Sequence, residues 1–306
     1  MTESPPFKWK APAKLNLFLH ITAQRPDGYH ELQTLFQLLD FCDELEISPR
    51  DDGLICRLGE NGGIAAEHDL VVRAARMLKE ASGTRMGASI RVWKSIPMGS
   101  GLGGGSSNAA TTLLVLNRLW NCGFTLDELA RLGLALGADV PVFVHGETAM
   151  ATGIGEILEP VQLGERHYVL VFMPVHISTA ELFAHSELCR NGQVISHADA
   201  LSGKGFNAFE PIVRKLYPDI DNAFEELNKL EKKGISNSVA RMTGTGSAIF
   251  LPLPDAKSAN KATHQLNSIY NVRAVRGQDR SPVHALLQSV VWTESGWQSA
   301  GTSPSW

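Results

Sequence analysis

"IPMGSGLGGGSSNAA", residues 96–110, is the stretch on which the reading of this chain turns. Gly99, Gly101, Gly103, Gly104 and Gly105 fall within seven consecutive residues. Upstream, "ASIRVWKSIP" alternates Ile90, Val92 and the stem of Lys94, and reads as a strand ended by Pro97. Downstream, "SSNAATTLLVLNRLW" (Ser106 to Trp120) reads as a helix. Glycines let a backbone turn tightly and approach a ligand closely. A helix start placed after them gathers free N–H groups and a positive dipole end at one point, which suits a phosphate. A flexible turn is the plainer alternative.

Several phosphate loops contain glycine. The Walker pattern needs Lys and then Ser or Thr after its last Gly, whereas here Ser106 follows Gly105 directly. Gly99, Gly101 and Gly104 match G-x-G-x-x-G, but a dinucleotide fold needs a strand after the helix. A second helix, Thr125 to Leu136, comes next instead, with a capping-box pair at Thr125 and Glu128 and a staple pair at Phe124 and Leu129. The His-Arg-Asp and Asp-Phe-Gly signatures of protein kinases are absent.

Around this loop, Leu15, Leu17, Leu19 and Ile21 alternate as a strand, with Lys14, Asn16, Phe18 and His20 on its other face. "RPDGYH" (Arg25 to His30) is a turn, and "LQTLFQLLDFCDELEI" reads as further sheet. Asp69 to Gly83 reads as a helix capped by Asp69 and ended by Gly83. Gly137 reads as the end of the Thr125 helix, and Asp139 follows it. His167 to Pro174 is a buried-strand pattern, "FEPIVRKLYPDIDNAFEELNKLEKKG" reads as two helices around Pro218, and "MTGTGSAIFLPL" as a glycine loop and a strand.

The length of 306 residues suggests two domains, at roughly 150 residues each. The polar stretch between about Glu159 and Arg166 places the boundary, giving 1–162 and 163–306. The Ser/Gly-rich end, from about residue 290, reads as mobile, and no role is evident for Trp297 or Trp306. With 43% hydrophobic and 20% charged residues the chain can build real cores and is not disordered. The net charge of -4 gives no basic footprint for nucleic acid. No signal-peptide pattern or membrane-length apolar run is present, and none of the four cysteines forms a Cys-x-x-Cys pair. A reduced, cytoplasmic location, a small-molecule substrate and no nucleic-acid or membrane partner are the expectation. The oligomeric state is not legible.

"PMGSGLGGGSSNAA" resembles the phosphate loop of the GHMP kinases, the family of galactokinase, homoserine kinase and mevalonate kinase. "APAKLNLFLHI" (Ala11 to Ile21), "RPDGYHELQTLFQLLD" (Arg25 to Asp40) and "LGADVPVFVHG" (Leu136 to Gly146) narrow the resemblance to the branch acting on 4-diphosphocytidyl-2-C-methyl-D-erythritol. "RMTGTGSAIF" (Arg241 to Phe250) resembles the third GHMP motif, and "SPVHALL" that branch's C-terminal end. The resemblance covers about Lys10 to Gln288. It implies an α+β, two-domain GHMP kinase fold with ATP and substrate in the interdomain cleft. It implies ATP-dependent phosphorylation of the substrate's 2-hydroxyl, a step in non-mevalonate isoprenoid precursor synthesis.

The resemblance also implies roles for residues. Lys14 and Asp139 take the catalytic positions. On local pattern alone Lys14 would be a solvated strand residue and Asp139 a cap for a short turn starting at Val140. Lys94, Pro97, Met98, Gly99, Ser100, Gly101, Leu102, Gly103, Gly104, Gly105, Ser106 and Ser107 would hold the nucleotide. Magnesium is expected with ATP; Ser107 is a candidate contact and no metal-ligand set is read. Asn16, Thr179, Thr243, Gly244, Thr245 and Gly246 fall on the substrate side. Tyr29 and Phe183 would stack on cytosine, and His30 would read its edge. Without the resemblance, Tyr29 and His30 could be plain anchors and Thr243 to Gly246 a tight turn. One departure stands out: the family commonly has Asn where this chain has Asp69, near the nucleotide side, and the added charge could weaken ATP contact. Competing readings are a GHMP kinase for another alcohol, a nucleotide-binding regulator without catalysis, and a dinucleotide oxidoreductase. "RPDGYH" speaks against the first, the presence of Lys14 and Asp139 against the second, and the Thr125 helix against the third.

Overall fold

The computed structural model describes residues 7–60, 62–293 and 296–299. The first half runs β1 (Trp9–Gln24), β2 (His30–Arg50), β3 (Ile55–Leu58), α1 (Leu70–Ser82), β4 (Gly87–Trp93), α2 (Gly104–Leu119), α3 (Leu126–Leu134), α4 (Val140–His145), β5 (Ala149–Thr152) and β6 (Ile157–Pro160). The second runs β7 (His167–Phe172), α5 (Thr179–Ala184), α6 (His197–Leu201), α7 (Glu210–Leu216), α8 (Pro218–Lys232), β8 (Arg241–Met242), β9 (Ile249–Leu253), α9 (Ala256–Leu266) and β10 (Asn271–Gln278). Helix α10 (Pro282–Ser289) and a hairpin, β11 (Val290–Thr293) and β12 (Gly296–Ser299), follow. A ten-stranded sheet spans both halves in the order β3-β4-β2-β10-β7-β9-β8, with β1 and β5 also paired to β2 and β6 to β5.

Local signals place several elements. Asp69 accepts from the Val71 N–H and caps α1, and Gly83 ends it at φ 68°. The Thr125–Glu128 capping box closes on α3 from both sides. That helix stops at Leu134, ahead of the expected Leu136, with Ala135 as its C-cap; Gly137 donates back to the Gly133 carbonyl but is not in the left-handed region.

Strand β1 departs from simple alternation. Its pairing with β2 slips between Pro12 and Lys14, between Asn16 and Leu19, and between Ile21 and Ala23. The strand therefore feeds three cores. Trp9 and Ala11 join the helical core of the first half, Ala13, Leu15, Leu17 and Phe18 the middle one, and Leu19 and Ile21 that of the second half. Phe18 thus packs with the leucines it was expected to oppose. The expected polar face is not solvated: Lys14, Asn16 and His20 are each 3% exposed or less. A strand covered on both faces cannot put either set of side chains in water.

Part of the segment expected as a mobile tail, residues 290–293 and 296–299, forms the hairpin β11–β12. Trp297 packs edge-on against Trp9 at 4.8 Å between ring centroids, and its Nε1 donates to the Ile47 carbonyl. Phe7 and Trp292 flank it. Burial of one large aromatic outweighs the Ser/Gly composition around it. Val283 and Val290 lie in the first half's core, so the chain returns there after completing the second half. Trp306 lies outside the described residues. Among the described residues no helix is long and apolar enough to cross a membrane.

Candidate active site

Helix α2 begins on the glycine loop. Its N-cap is Gly103, in the left-handed region at φ 72° and with no side chain to occupy the first-turn N–H groups. Those donors and the helix dipole remain directed at the loop. Side chains would obstruct the site: a Cβ on Gly103 would lie 2.9 Å from the Phe143 ring and 3.1 Å from Lys14 Cε, and one on Gly104 3.1 Å from Lys94 Nζ. A cavity of about 1110 Å³ opens beside the loop. It is lined by residues 91–106 and by Arg57, Asp69, Asn108, Thr179, Thr245 and Gly246, among others. Its size and its open N–H groups fit a nucleoside triphosphate. Ser107, which the resemblance put with the nucleotide, is fully buried and is not among the cavity's lining residues, and its Oγ has no hydrogen-bond partner in the protein.

The loop is anchored from behind by a residue that sequence reasoning missed. Asp43 on β2 is fully buried; its Oδ1 accepts from the N–H groups of Ser95 (2.7 Å) and Ile96 (2.8 Å), and its Oδ2 pairs with Lys94 Nζ. Lys94 is thereby fixed at the cavity wall. Asp69 also lines the cavity, but its carboxylate is occupied. Beyond capping α1 it pairs with Arg57 at 3.3 Å, both side chains being about nine-tenths buried. Its charge meets an opposite charge before it meets a ligand.

Lys14 and Asp139 come together against the loop. Lys14 is 2% exposed, and its Nζ lies 3.2 Å from Asp139 Oδ2. Its backbone N–H donates to the Leu102 carbonyl, so β1 is bonded to the loop itself. Asp139 sits at the N-cap position of α4 but makes no side-chain cap bond. A third of its side chain stays open to solvent beside a buried ammonium group. The carboxylate is not used to close the helix.

A relay with fixed polarity holds Lys14. Its Nζ donates to Asn16 Oδ1 (2.5 Å), Asn16 Nδ2 donates to Thr34 Oγ1 (2.9 Å), and Thr34 Oγ1 donates to the Phe18 carbonyl (2.5 Å). The ammonium has only protons to give, so the direction of every later bond follows. The second glycine loop docks on the first. Thr243 Oγ1 accepts from the Asn16 N–H and donates to the Gly101 carbonyl, and the N–H groups of Ser247 and Ala248 donate to the carbonyls of Gly99 and Ser100. The hydroxyls of Thr179 and Thr245 lie 2.9 Å apart. Gly244 is buried beneath, where Asn207 Nδ2 donates to its carbonyl.

The matches to known families decide what this arrangement belongs to. Residues 69–147 match the GHMP kinases N terminal domain and residues 185–272 the GHMP kinases C terminal domain. The chain is 48% identical over 280 residues to a 4-diphosphocytidyl-2-C-methyl-D-erythritol kinase of Cupriavidus taiwanensis, covering 90% of this chain and 94% of that one. It is 50% identical over 250 residues to one of Nitrosococcus oceani, covering 82% and 86%. The chain belongs to the 4-diphosphocytidyl-2-C-methyl-D-erythritol kinase family of GHMP kinases. A crystal structure of a 4-(cytidine 5'-diphospho)-2C-methyl-D-erythritol kinase superposes with a TM-score of 0.77 at 31% identity, over 89% of this chain and all of that one. Homoserine kinase from Cytophaga hutchinsonii shares the fold, with a TM-score of 0.64 at 16% identity.

Within this kinase the expected substrate residues do not all reach the cavity: Thr243 and Gly244 are buried in the second glycine loop and do not line that cavity. Thr179, Thr245 and Gly246 line the cavity beside the phosphate loop. Tyr29, His30 and Phe183 are not among its lining residues. The His30 and Phe183 rings lie together at 4.9 Å, tilted by 31°, while Tyr29 is 60% exposed. Asn16 is 2% exposed, with both ends of its amide engaged inside the protein, so in this structure it supports Lys14. Asp43, Arg57, Thr34 and Arg190 were not read from the sequence. Each takes its meaning from a partner distant in the chain, and no local pattern marks it.

Thr34→Val tests the relay. It removes the acceptor for the Asn16 amide and leaves a buried N–H unpaired, at a cost of about 1–3 kcal/mol. Part of that cost falls on Lys14. The expected result is a fall in kcat of about tenfold with little change in KM, and recovery in Thr34→Ser. Unchanged turnover in Thr34→Val would remove Thr34 from the relay.

Proposed function

We propose that this chain transfers the γ-phosphoryl group of ATP to the 2-hydroxyl of 4-diphosphocytidyl-2-C-methyl-D-erythritol, in non-mevalonate isoprenoid precursor synthesis. The observation that carries the reading is the Lys14–Asp139 pair at 3.2 Å, held against a glycine loop that opens a helix. Phosphoryl transfer asks an enzyme mainly for alignment and for charge stabilisation.

ATP supplies the phosphoryl group when bound. The open N–H groups at the start of α2 meet the charge on the phosphate oxygens, with Lys94 at the wall of the same cavity. Ser107 Oγ, without a partner in the protein, would hold a phosphate oxygen or a magnesium ion brought with the nucleotide. Asp139 accepts the proton of the attacking hydroxyl at a carboxylate oxygen. Lys14 aims that carboxylate and neutralises charge near the transferring group. Tyr29, His30 and Phe183 are the residues for the cytidine end.

The test is release of ADP from ATP and magnesium by the purified protein, with and without the cytidyl-diphosphate methylerythritol substrate. Substrate-dependent ADP is the expected result. ATP binding without turnover would point to a different alcohol or to a nucleotide-binding role without catalysis.

A further inference from the structure

Arg190 lies in the segment after α5 and is bonded on every side of its guanidinium group. Its Nε donates to His30 Nε2 at 3.2 Å. Its Nη2 donates to the carbonyls of Phe183 (2.7 Å) and His185 (3.1 Å), and its Nη1 to that of Leu188 (3.3 Å). One side chain thus joins the start of β2 to the end of α5, two segments that meet only in the folded chain. The His30 ring it touches lies against Phe183, 4.9 Å between ring centroids and tilted by 31°.

The chemistry of the pair fixes more than position. A guanidinium group stays protonated in proteins and has no acceptor. Its Nε can only donate, so His30 Nε2 must present a lone pair. A ring with a free pair on Nε2 is neutral and carries its hydrogen on Nδ1. Burial, and then the adjacent Arg190 charge, lower the His30 pKa below the ordinary histidine value, which favours the same neutral ring.

We propose that Arg190 is a positioning residue for the pyrimidine end of the substrate, holding His30 as the Nδ1–H tautomer and locking that ring to the segment that carries Phe183. The inference rests on the reading of His30 and Phe183 as the cytidine pocket. In this state the imidazole offers a single N–H to an acceptor on the base and cannot present two donors. Lysine at this position would keep the charge but lose the planar fork that reaches His30 and three carbonyls together.

The test uses the full chain labelled with 15N in its histidines, with the His30 signals assigned from their loss in His30→Gln. At pH 7.5, His30 is expected as the neutral Nδ1–H form, and Arg190→Lys and Arg190→Gln are expected to lose that single form. In both variants KM for the cytidyl substrate is expected to rise about tenfold, with KM for ATP unchanged and kcat falling less than KM rises. A wild-type His30 in the Nε2–H or imidazolium form overturns the proposal. So does a wild-type KM in both Arg190 variants when His30→Gln raises it. Should His30→Gln itself leave KM unchanged, the pocket assignment fails and the substrate-positioning role of Arg190 falls with it, while the ADP-release test of the proposed activity is unaffected.

Discussion

Replacing Asp139 with Asn is expected to lower kcat by about 10²–10⁴-fold, the range for loss of a positioned acid–base group. Asn keeps the size and shape of the side chain but cannot take the hydroxyl proton. ATP binding is expected to change little, because the phosphate donors lie on the loop and the start of α2. The fold is expected to hold, since the Asp139 side chain caps nothing. The Lys14 ammonium keeps Asn16 Oδ1 as a partner and is not left bare. The check is substrate-dependent ADP release with ATP affinity measured on the same preparation. Turnover within a few-fold of the parent enzyme would reject Asp139 as the base. A matching loss of ATP affinity would place its role in nucleotide binding.

Gly101→Ala is expected to damage both stability and nucleotide binding. Gly101 has φ +76°, a region that costs an L-residue about 1–2 kcal/mol. Its added Cβ would lie 2.2 Å from the Thr243 carbonyl oxygen and 3.1 Å from that of Gly246. Those atoms are backbone, so relief requires the two glycine loops to separate. Overpacking of this kind adds about 1–3 kcal/mol, and the total expected is about 2–5 kcal/mol of lost stability in urea unfolding. Because the loops also bound the cavity, ATP affinity is expected to fall at least tenfold, about 1.4 kcal/mol. Gly105→Ala is the control for stability. That position is helical, its Cβ would meet only Leu70 Cδ1 at 3.3 Å, and alanine favours the helix. A stability change within about 1 kcal/mol is expected there. Equal losses in the two variants would show that the close approach at Thr243 is not what makes Gly101 necessary.

These two sites differ in how legible they were. The sequence placed Asp139 after a helix and before Val-Pro, and left a cap and a catalytic base as rivals. The folded chain removes the cap, by leaving the carboxylate without a cap bond, and brings Lys14 to it, which supports the proposed base. Glycine at 101 could be read as part of a phosphate loop. That the Thr243 carbonyl is what excludes a side chain there depends on how two distant loops dock. Lys14 shows the limit from the other direction: a strand with alternating residues predicts one wet face, and β1 has none because the cores of both halves close on it.

What the sequence determined by itself is what neighbouring residues control. That includes the glycine loop between a strand and a helix, the Asp69 cap of α1, the capping box of α3 and the break at Pro218, since turns, caps and helix starts are set by backbone preferences within a few residues. The family resemblance was legible for the same reason, because its motifs are short and continuous. Tertiary structure alone decided that Asp43 anchors the phosphate loop, that Arg57 meets the charge of Asp69, that Arg190 reaches His30, and that Trp297 pins the C-terminal hairpin to Trp9. Each is a contact between segments far apart in the chain. A buried charge or amide takes its partner from whatever the topology brings beside it, and the residues flanking it in sequence carry no record of that partner.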